Sequence, residues 1–278
     1  MAMSRTTRRT VLKVTESSLF WILSLIVLVP FWMMIVGSFK NVREAAIPSL
    51  ALPTTWQPEN YVTVFREGAI LQALYNSVIL TAFSVLLTVM VSSAGGLFLA
   101  RVNTRASRLI YNAFSLGLIA PLSIIPTIRL TQLLQIANTR FAVVLLMSAM
   151  NIPFGIFLST GFVKSIPREL DEASIIDGCN SYQLFRRIIL PLMLPVTMTV
   201  AVIVFMSVWN SFLIPLYFLN DSTKWPLPLT VYNFFGQFSS DWNLVFADLV
   251  ITALPVLVFY VSAQRFIIGG LTAGAVKG

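Results

Sequence analysis

The chain has 278 residues, of which 57% are hydrophobic and only 11% are charged. Because soluble domains carry about 25% charged residues, this composition excludes an ordinary soluble domain and indicates a membrane protein. The chain contains no histidine, which removes the commonest metal ligand and general base, and its single cysteine excludes an internal disulfide.

Six apolar stretches are predicted to cross a membrane as helices, since about 20 apolar residues span a bilayer core. They cover residues 17–39, 70–100, 109–128, 141–163, 188–219 and 245–265. The last stretch includes Asp248, which we expect near one interface. The two longest charge-free runs, 68–100 and 188–220, exceed one perpendicular crossing, so their helices should tilt or begin with interfacial segments. The sequence predicts an all-α, polytopic protein with six transmembrane helices.

The N-terminus combines basic residues with the first apolar stretch, which is also typical of a secretory signal peptide. The apolar stretch is longer than the 7–15 residues of a signal peptide, and no cleavage site of small residues follows it. We therefore interpret residues 17–39 as a retained first span.

The positive charge sets the topology. Most of the 19 lysines and arginines lie before the first predicted span, after the second, between the fourth and fifth, or after the sixth. The loops on the other side contain Lys40, Arg43, Arg66, Arg129, Arg140 and Lys224. By the positive-inside rule, both termini are predicted to be cytoplasmic. The net charge of +8 therefore reports orientation and predicts no nucleic-acid partner.

A compact polar segment, Glu169–Pro191, separates the fourth and fifth predicted spans with the sequence ELDEASIIDGCNSYQLFRRIILP. Pro167 suits the first turn of a helix. An apolar stripe at helical spacing follows, formed by Ile166, Leu170, Ala173 and Ile176. Arg168 and Glu172 lie one turn apart and could form an ion pair.

The helix is predicted to end before Gly178, which suits the left-handed conformation found just past a helix end. Asn180 or Ser181 could then cap a second helix. The sequence thus predicts a helix, a sharp turn and a second helix at the cytoplasmic surface. An amphipathic surface helix with no further role is the alternative.

The spacing in this segment resembles a family motif. Glu172-Ala173-Ser174, three residues, Gly178, nine residues and Ile188-x-Leu190-Pro191 are similar to the EAA loop of ABC importer permeases. Ser174 departs from the second alanine of that motif by a small-for-small change. The stretches 209–216 and 264–278 are also similar to the smaller permease of maltose-type carbohydrate importers.

The resemblance implies that residues 1–278 form one transmembrane permease domain and that residues 165–187 form a helix-turn-helix coupling loop. In that family the EAA helix docks into a cleft on a cytoplasmic ATPase. The implied coupling residues are Glu172, Ala173, Ser174, Asp177, Gly178, Ile188, Leu190 and Pro191. The C-terminal tail, residues 266–278, would also reach the ATPase through Gly270, Thr272, Gly274 and Lys277; a frayed terminus is the alternative interpretation of this tail.

The resemblance also implies partners and an energy source. The chain contains no G-x-x-x-x-G-K-[ST] motif, so ATP and Mg²⁺ would be used by a separate ATPase dimer. The other implied partners are a second, different permease subunit and an extracytoplasmic solute-binding protein, assembled in a bacterial-type inner membrane. The implied function is the import of an oligosaccharide or a related polyol-like solute.

Polar residues within the predicted spans are candidates for a solute pathway, namely Asn151, Trp209 and Asn210. Ordinary helix packing is the alternative for each of them.

Two other classes of function fit the sequence less well. An ion-gradient transporter or channel usually has charged residues inside its spans, and here Asp248 alone approaches one. A membrane-embedded enzyme needs paired carboxylates or an activated nucleophile, and the spans contain neither. We therefore expect no catalytic residue and no metal site in this chain.

Overall fold

The computed structural model describes residues 5–235 and 241–275, and the side chains of residues 16–21, 23–235 and 241–264. The described chain is all-helical. Its α-helices are α1 (Arg5–Gly37), α2 (Val42–Ala45), α3 (Glu59–Glu67), α4 (Ile70–Arg101), α5 (Arg105–Gly117), α6 (Ile124–Leu133), α7 (Arg140–Ser165), α8 (Glu169–Ile176), α9 (Ser181–Gln183), α10 (Leu190–Leu192), α11 (Leu194–Trp209), α12 (Leu213–Phe218), α13 (Leu227–Thr230) and α14 (Trp242–Ala275).

Within the described residues, four helical stretches are long and apolar enough to cross a membrane. They are Glu16–Gly37, Ile70–Arg101, Arg140–Ser165 and Trp242–Gln264, and they match four of the predicted spans. A fifth arises if Ser181–Leu192 and Leu194–Trp209, which are bent by 75° relative to each other, count as one span. The structure therefore supports a multi-pass membrane protein, while the cytoplasmic location of both termini stays a prediction.

The predicted span over residues 109–128 is not one helix. Helix α5 ends at Gly117 and α6 begins at Ile124. Pro121 lies between them, and proline removes a backbone N–H and disfavours helical conformation in the residue before it. The prediction of one helix over residues 109–128 is therefore wrong, because it depended on the length of the apolar run and not on Pro121.

The predicted span over residues 188–219 is also divided. Residues Leu184–Ile189 form a π-helical turn, and the chain bends at Met193 before α11. Pro191 and Pro195 flank the bend, and each lacks the N–H that a regular helix needs. The expectation that this span tilts or begins with an interfacial segment stays a prediction.

Two compact units are distinguished in the chain. The first comprises residues 1–70 and 230–253, and the second comprises residues 71–229 and 254–278. The prediction of one permease domain over the whole chain stays a prediction.

Buried polar groups hold the first unit together. The side-chain amide of Asn60 donates to the carbonyls of Ser38 and Lys40 at 2.8 and 2.9 Å, and Asn243 donates to Asn60 Oδ1 at 2.8 Å. Asp248, expected near an interface, is 1% exposed, and its Oδ1 accepts a 2.8 Å hydrogen bond from Thr230. Because buried polar groups need partners, this network fixes the loop after α1 against α3 and the start of α14.

The second unit has an apolar core between α4, α7, α11 and α12. Its buried residues are Leu80, Val143, Val144, Met147, Val200, Val204, Val208, Ile214, Phe218 and Leu219. Beside this core, α4 and α7 approach closely at what we call the α4–α7 seam: Ser92, Gly96, Gly155 and Ser159. A Cβ on Gly96 would lie 2.4 Å from Ser159 Cβ, and one on Gly155 would lie 2.7 Å from Ser92 Cβ. Small residues at such contacts are typical of helices that pack within membranes.

Candidate functional site

The polar segment begins where α7 ends. Ile166 has an extended backbone, with φ −78° and ψ 126°, as expected for a residue before proline. The first turn of α8 contains Glu169, Asp171 and Glu172, whose negative charges interact favourably with the positive end of a helix dipole. Local sequence therefore accounts for both the end of α7 and the start of α8.

Helix α8 ends in a Schellman turn. Gly178 has φ 80°, its N–H donates to the carbonyl of Ile175 at 3.0 Å, and the N–H of Cys179 donates to that of Ser174 at 2.9 Å. These are the two hydrogen bonds of the motif, which requires a left-handed residue at this position. The conformation predicted for Gly178 is confirmed.

The second helix begins with a capping box. The side chain of Asn180 accepts a 2.9 Å hydrogen bond from the N–H of Gln183, and Gln183 Oε1 accepts a 3.0 Å hydrogen bond from the N–H of Asn180. Of the two candidate caps, Asn180 is the one used. The chain then continues through the π-helical turn and α10 into α11, so α8 is linked covalently to a core helix.

Arg101, the last residue of α4, ties the start of the polar segment to that helix. Its two terminal nitrogens donate to the carbonyl of Ile166 at 3.2 Å, and Nη2 donates to Asp171 Oδ1, also at 3.2 Å. Arg101 Nε lies 2.6 Å from Asp171 Oδ2, and both side chains are 15% exposed. The ion pair expected between Arg168 and Glu172 is not present among the described side chains. Asp171 pairs with an arginine far away in sequence, a contact that sequence reasoning missed.

The buried face of this region differs from the predicted stripe. Ile166 and Ser174 are buried, whereas Ala173 is exposed and Ile176 is 85% exposed. The hydroxyl of Ser174 donates to the carbonyl of Leu170, so the polar atom stays within its own helix. Of the apolar stripe, Ile166 is buried, whereas Leu170, Ala173 and Ile176 are exposed, so the stripe does not form one buried face.

Ile189 anchors the second helix. It is fully buried in a cluster with Ala100, Val163, Ile166, Met193 and Val196. The motif residues beside it, Ile188 and Leu190, are half-buried, and Pro191 is exposed. Because helix rotation cannot be read from motif spacing, the sequence singled out Ile188 and Leu190 and missed Ile189.

The opposite face of the polar segment is exposed and mixed in character. Glu172 and Asp177 are exposed acidic residues. Ile175, Ile176 and Tyr182 are 63%, 85% and 65% exposed. Large apolar side chains that are exposed beside charged ones are typical of a protein–protein contact surface.

The predicted C-terminal contact lies at the edge of the described chain. Gly270, Thr272 and Gly274 belong to the continuous helix α14, but their side chains lie outside the described ones. Lys277 lies outside the described residues. The role assigned to this tail stays a prediction.

An apolar groove of about 740 Å³ lies between α4, α11 and the second half of α14. Three stacked rings line it: the centroids of Phe205 and Trp209 are 5.3 Å apart, and those of Phe205 and Phe259 are 3.5 Å apart. The Trp209 Nε1 atom is buried without a hydrogen-bond partner among the described residues. Trp209 is thus the one pathway candidate that reaches this groove.

The two asparagines proposed for the pathway do not line the groove. Asn151 donates to the carbonyl of Met147, and Asn210 donates to that of Met206, both at 2.8 Å. Each amide therefore bonds its own helix one turn back. In the part of the chain that is described, no three Cys, Asp or Glu side chains lie close enough together to hold a metal ion.

Comparison with known proteins identifies relatives along nearly the whole chain. Residues 92–268 match the family described as binding-protein-dependent transport system inner membrane component. The chain is 36% identical to the probable starch degradation products transport system permease protein AmyC of Thermoanaerobacterium thermosulfurigenes, over 92% of this chain and 94% of the relative. It is 32% identical to the multiple sugar-binding transport system permease protein MsmG of Streptococcus mutans, over 91% of this chain and 93% of the relative.

The fold is shared with solved transporters. A chain of a bacterial ABC transporter involved in the import of the acidic polysaccharide alginate matches with a TM-score of 0.82 and 20% identity, over 95% of this chain and 99% of that one. A chain of the MetNI methionine ABC transporter matches with a TM-score of 0.53 and 17% identity, over 72% of this chain and 95% of that one. The protein has the helical fold of ABC transporter membrane subunits, and it belongs to the family of inner-membrane components of binding-protein-dependent transport systems.

Proposed function

We propose that this chain is a permease subunit of an ATP-driven importer, that it moves a carbohydrate into the cytoplasm, and that the polar segment couples it to a separate ATPase subunit. The observation that supports the coupling role is the exposed face of α8. This helix is connected to α4 and α11, which both line the apolar groove. Family membership supports the permease role independently.

The connections of α8 would transmit its movement to other helices. Arg101 links its first turn to α4, and the capped second helix leads through the bend at Met193 into α11. Both α4 and α11 line the apolar groove. A displacement of α8 would therefore move both α4 and α11. A partner can drive such a change only if its contacts with α8 differ between the two conformations.

The exposed face of α8 supplies a surface for the ATPase. Glu172 and Ala173, the first two residues of the EAA motif, are exposed and free to contact a partner. The chain has no phosphate-binding loop of its own, so ATP and Mg²⁺ belong to the partner in this proposal. The proposed assembly contains a second permease subunit, an ATPase dimer and a solute-binding protein, in a bacterial inner membrane with both termini cytoplasmic.

A carbohydrate substrate is supported by the relatives, which are named for starch degradation products and for multiple sugars. The aromatic rings of Phe205, Trp209 and Phe259 also suit a sugar, because sugars pack their apolar faces against aromatic side chains. Ligand sites commonly combine such apolar walls with a few polar groups, and Trp209 Nε1 is a donor of that kind.

Cysteine crosslinking tests the coupling role directly. Since Cys179 is the single cysteine, Cys179→Ser provides a cysteine-free background. Ala173→Cys in this background, alkylated with a maleimide that carries a benzophenone, should photocrosslink to the ATPase subunit in membranes, and adding ATP should change the yield. Ala106→Cys, exposed in the first turn of α5, is the matched control and should give little crosslinking. Equal crosslinking at both positions, or none at Ala173→Cys, would overturn the proposal.

The substrate class is tested separately with the solute-binding protein that serves this importer. Thermal stabilisation by one or more sugars, with no response to amino acids or inorganic anions, is the expected result. Stabilisation by amino acids alone would overturn the carbohydrate assignment and leave the coupling proposal standing.

A further inference from the structure

A polar cavity of about 460 Å³ lies where the end of α4, the start of α5 and the end of α7 meet. It is separate from the apolar groove, with which it shares no lining residue. Its wall contains three cationic side chains, those of Arg108 in α5, Lys164 in α7 and Arg168 just before α8. Asn103, Tyr111 and Asn112 line it as well.

The wall of the cavity carries positively charged side chains and no negatively charged one. No Asp or Glu lines it, and none of the three cations forms an ion pair within 4 Å among the side chains that the structure describes. Outside the wall, the first turn of α8 contains three acidic residues. Asp171 is paired with Arg101, and Glu169 and Glu172 are exposed and form no ion pair within 4 Å among the described side chains. Lys164 instead lies over the ring of Tyr111, 5.5 Å from its centroid. Like charges that converge without a counter-charge repel each other, so this arrangement favours a bound anion.

The chemistry of the wall suits a phosphate group. Arginine presents several N–H donors in a planar fork that matches phosphate oxygens, and lysine adds a compact charge. The side-chain amides of Asn103 and Asn112 add neutral donors. A singly charged phosphodiester would neutralise part of the excess charge and accept hydrogen bonds from several sides.

The surroundings of the cavity indicate that the phosphate belongs to a lipid. Directly after Arg108, α5 exposes Leu109 and Ile110, which are 69% and 44% exposed, and one to two turns later it exposes Leu116, at 69%. Exposed apolar patches mark contacts with a membrane or with another protein. A charged cavity next to an exposed apolar helix face matches a molecule with an anionic head and an apolar tail. Basic pockets between helices at the cytoplasmic surface are known to bind lipid head groups.

We propose that this cavity binds the head group of an anionic phospholipid, with its phosphate between Arg108, Lys164 and Arg168 and its acyl chains along the exposed face of α5. The site does not depend on the transported solute or on the ATPase. It gives the membrane subunit a specific contact with the anionic lipids of its leaflet.

Lipid titration of the protein in its assembled complex tests the proposal. The protein, purified in dodecyl maltoside with its complex intact, is titrated with dioleoylphosphatidylglycerol or dioleoylphosphatidylcholine. Bound lipid is counted by native mass spectrometry, and the melting temperature is followed in parallel. The anionic lipid should bind more tightly and raise the melting temperature further than the zwitterionic one.

Three variants separate the cavity from general charge. The double variant Arg108→Gln/Lys164→Gln should weaken binding of the anionic lipid by about 150-fold, because each direct hydrogen bond between a charged side chain and the phosphate contributes about 1.5 kcal/mol. Arg105→Gln removes the same kind of charge one turn earlier on α5, outside the cavity, and should change binding by less than about twofold. Arg108→Lys/Lys164→Arg keeps both charges and should keep most of the affinity, which separates loss of the site from loss of folding.

Several outcomes would overturn the proposal. Equal binding of the two lipids would show that no anionic head group is required. If Arg105→Gln weakened binding as much as the double variant, the cavity would not be the binding site. Inorganic phosphate that stabilises the detergent-solubilised protein as much as phosphatidylglycerol would show that a soluble anion, and not a lipid, occupies the site.

Discussion

Gly96, in the α4–α7 seam, has an ordinary helical backbone and no room for a side chain. Gly178, in the polar segment, has room for a side chain but a left-handed backbone. A Cβ on Gly96 would lie 2.4 Å from Ser159 Cβ, while nothing lies within 4 Å of a Cβ placed on Gly178. Gly178 has φ 80°. The same residue type is thus required for packing in one region and for chain direction in the other.

The difference extends to what each region does. The seam lies inside the second unit, where buried contacts determine whether the helices assemble. The polar segment is held by a few local contacts and leaves Ile175, Ile176 and Tyr182 exposed. Substitutions in the seam should therefore change folding, and those in the polar segment should change transport while most of the fold stays intact.

The largest effect is expected for Gly96→Ala. The new methyl group would force α4 and α7 apart, because the nearest atoms include the backbone of Ser159 and Thr160, and overpacking of this kind destabilises by about 1–3 kcal/mol. Gly95→Ala is the matched control, since its Cβ would make an ordinary contact with Ile156 at 3.4 Å. Thermal unfolding in detergent distinguishes the two variants. Equal stability of both would contradict the packing role of the seam.

Arg101→Ala should have the next largest effect, and it tests whether α8 is tied to α4. Losing the bonds to Ile166 and Asp171 leaves partly buried groups unpaired, which should loosen α8 by about 1–3 kcal/mol. Hydrogen exchange of α8 should speed up and transport should fall, while the protein stays in the membrane. Asp171→Asn keeps an acceptor oxygen for Arg101 and leaves the hydrogen bonds from Arg101 to Ile166 in place, so its effect should be smaller. Unchanged exchange in α8 after Arg101→Ala would show that Arg101 does not hold it.

Gly178→Val should reduce transport with a smaller effect on stability than Gly96→Ala. A β-branched residue in the left-handed conformation costs about 1–2 kcal/mol, so the turn would open and redirect the chain after α8. Asn tolerates this conformation, and Gly178→Asn should keep most of the transport activity. Transport assays at matched membrane levels provide the measurement. Full transport by Gly178→Val would contradict the role assigned to the turn.

The smallest effect is expected for Ser174→Ala, which restores the alanine of the family motif. The hydroxyl bonds only the carbonyl of Leu170 within its own helix, so its loss should change stability by less than about 0.5 kcal/mol. Ser174→Leu should be disruptive, because Ser174 is 4% exposed. Thermal unfolding and transport of both variants test whether size, and not the hydroxyl group, is what this position requires.

Features encoded over a few neighbouring residues were predictable from the sequence. The long apolar runs predicted most of the spans, because a bilayer requires a fixed length of apolar helix. The conformation of Gly178 was predicted, and the cap of the second helix was narrowed to Asn180 or Ser181, because a Schellman turn and a capping box involve residues within six positions of each other. Pro121 could have predicted the break between α5 and α6, but the apolar run around it was interpreted as one span.

Contacts between distant residues were not predictable in this way. The hydrogen bond between Arg101 and Asp171 joins residues 70 positions apart, and the burial of Ile189 depends on the rotation of its helix against α4 and α7. The basic cavity is similar, since Arg108, Lys164 and Arg168 come together only when the ends of three elements meet.

The sequence by itself determined that the chain is a helical membrane protein, where its sharp turn lies and to which family its motif belongs, because these properties follow from apolar length, backbone preference and local spacing. The tertiary structure decided which face of α8 is exposed, what holds its base and where unpaired positive charge collects. Those outcomes depend on how helices far apart in sequence rotate and pack against each other, and no local pattern encodes that rotation.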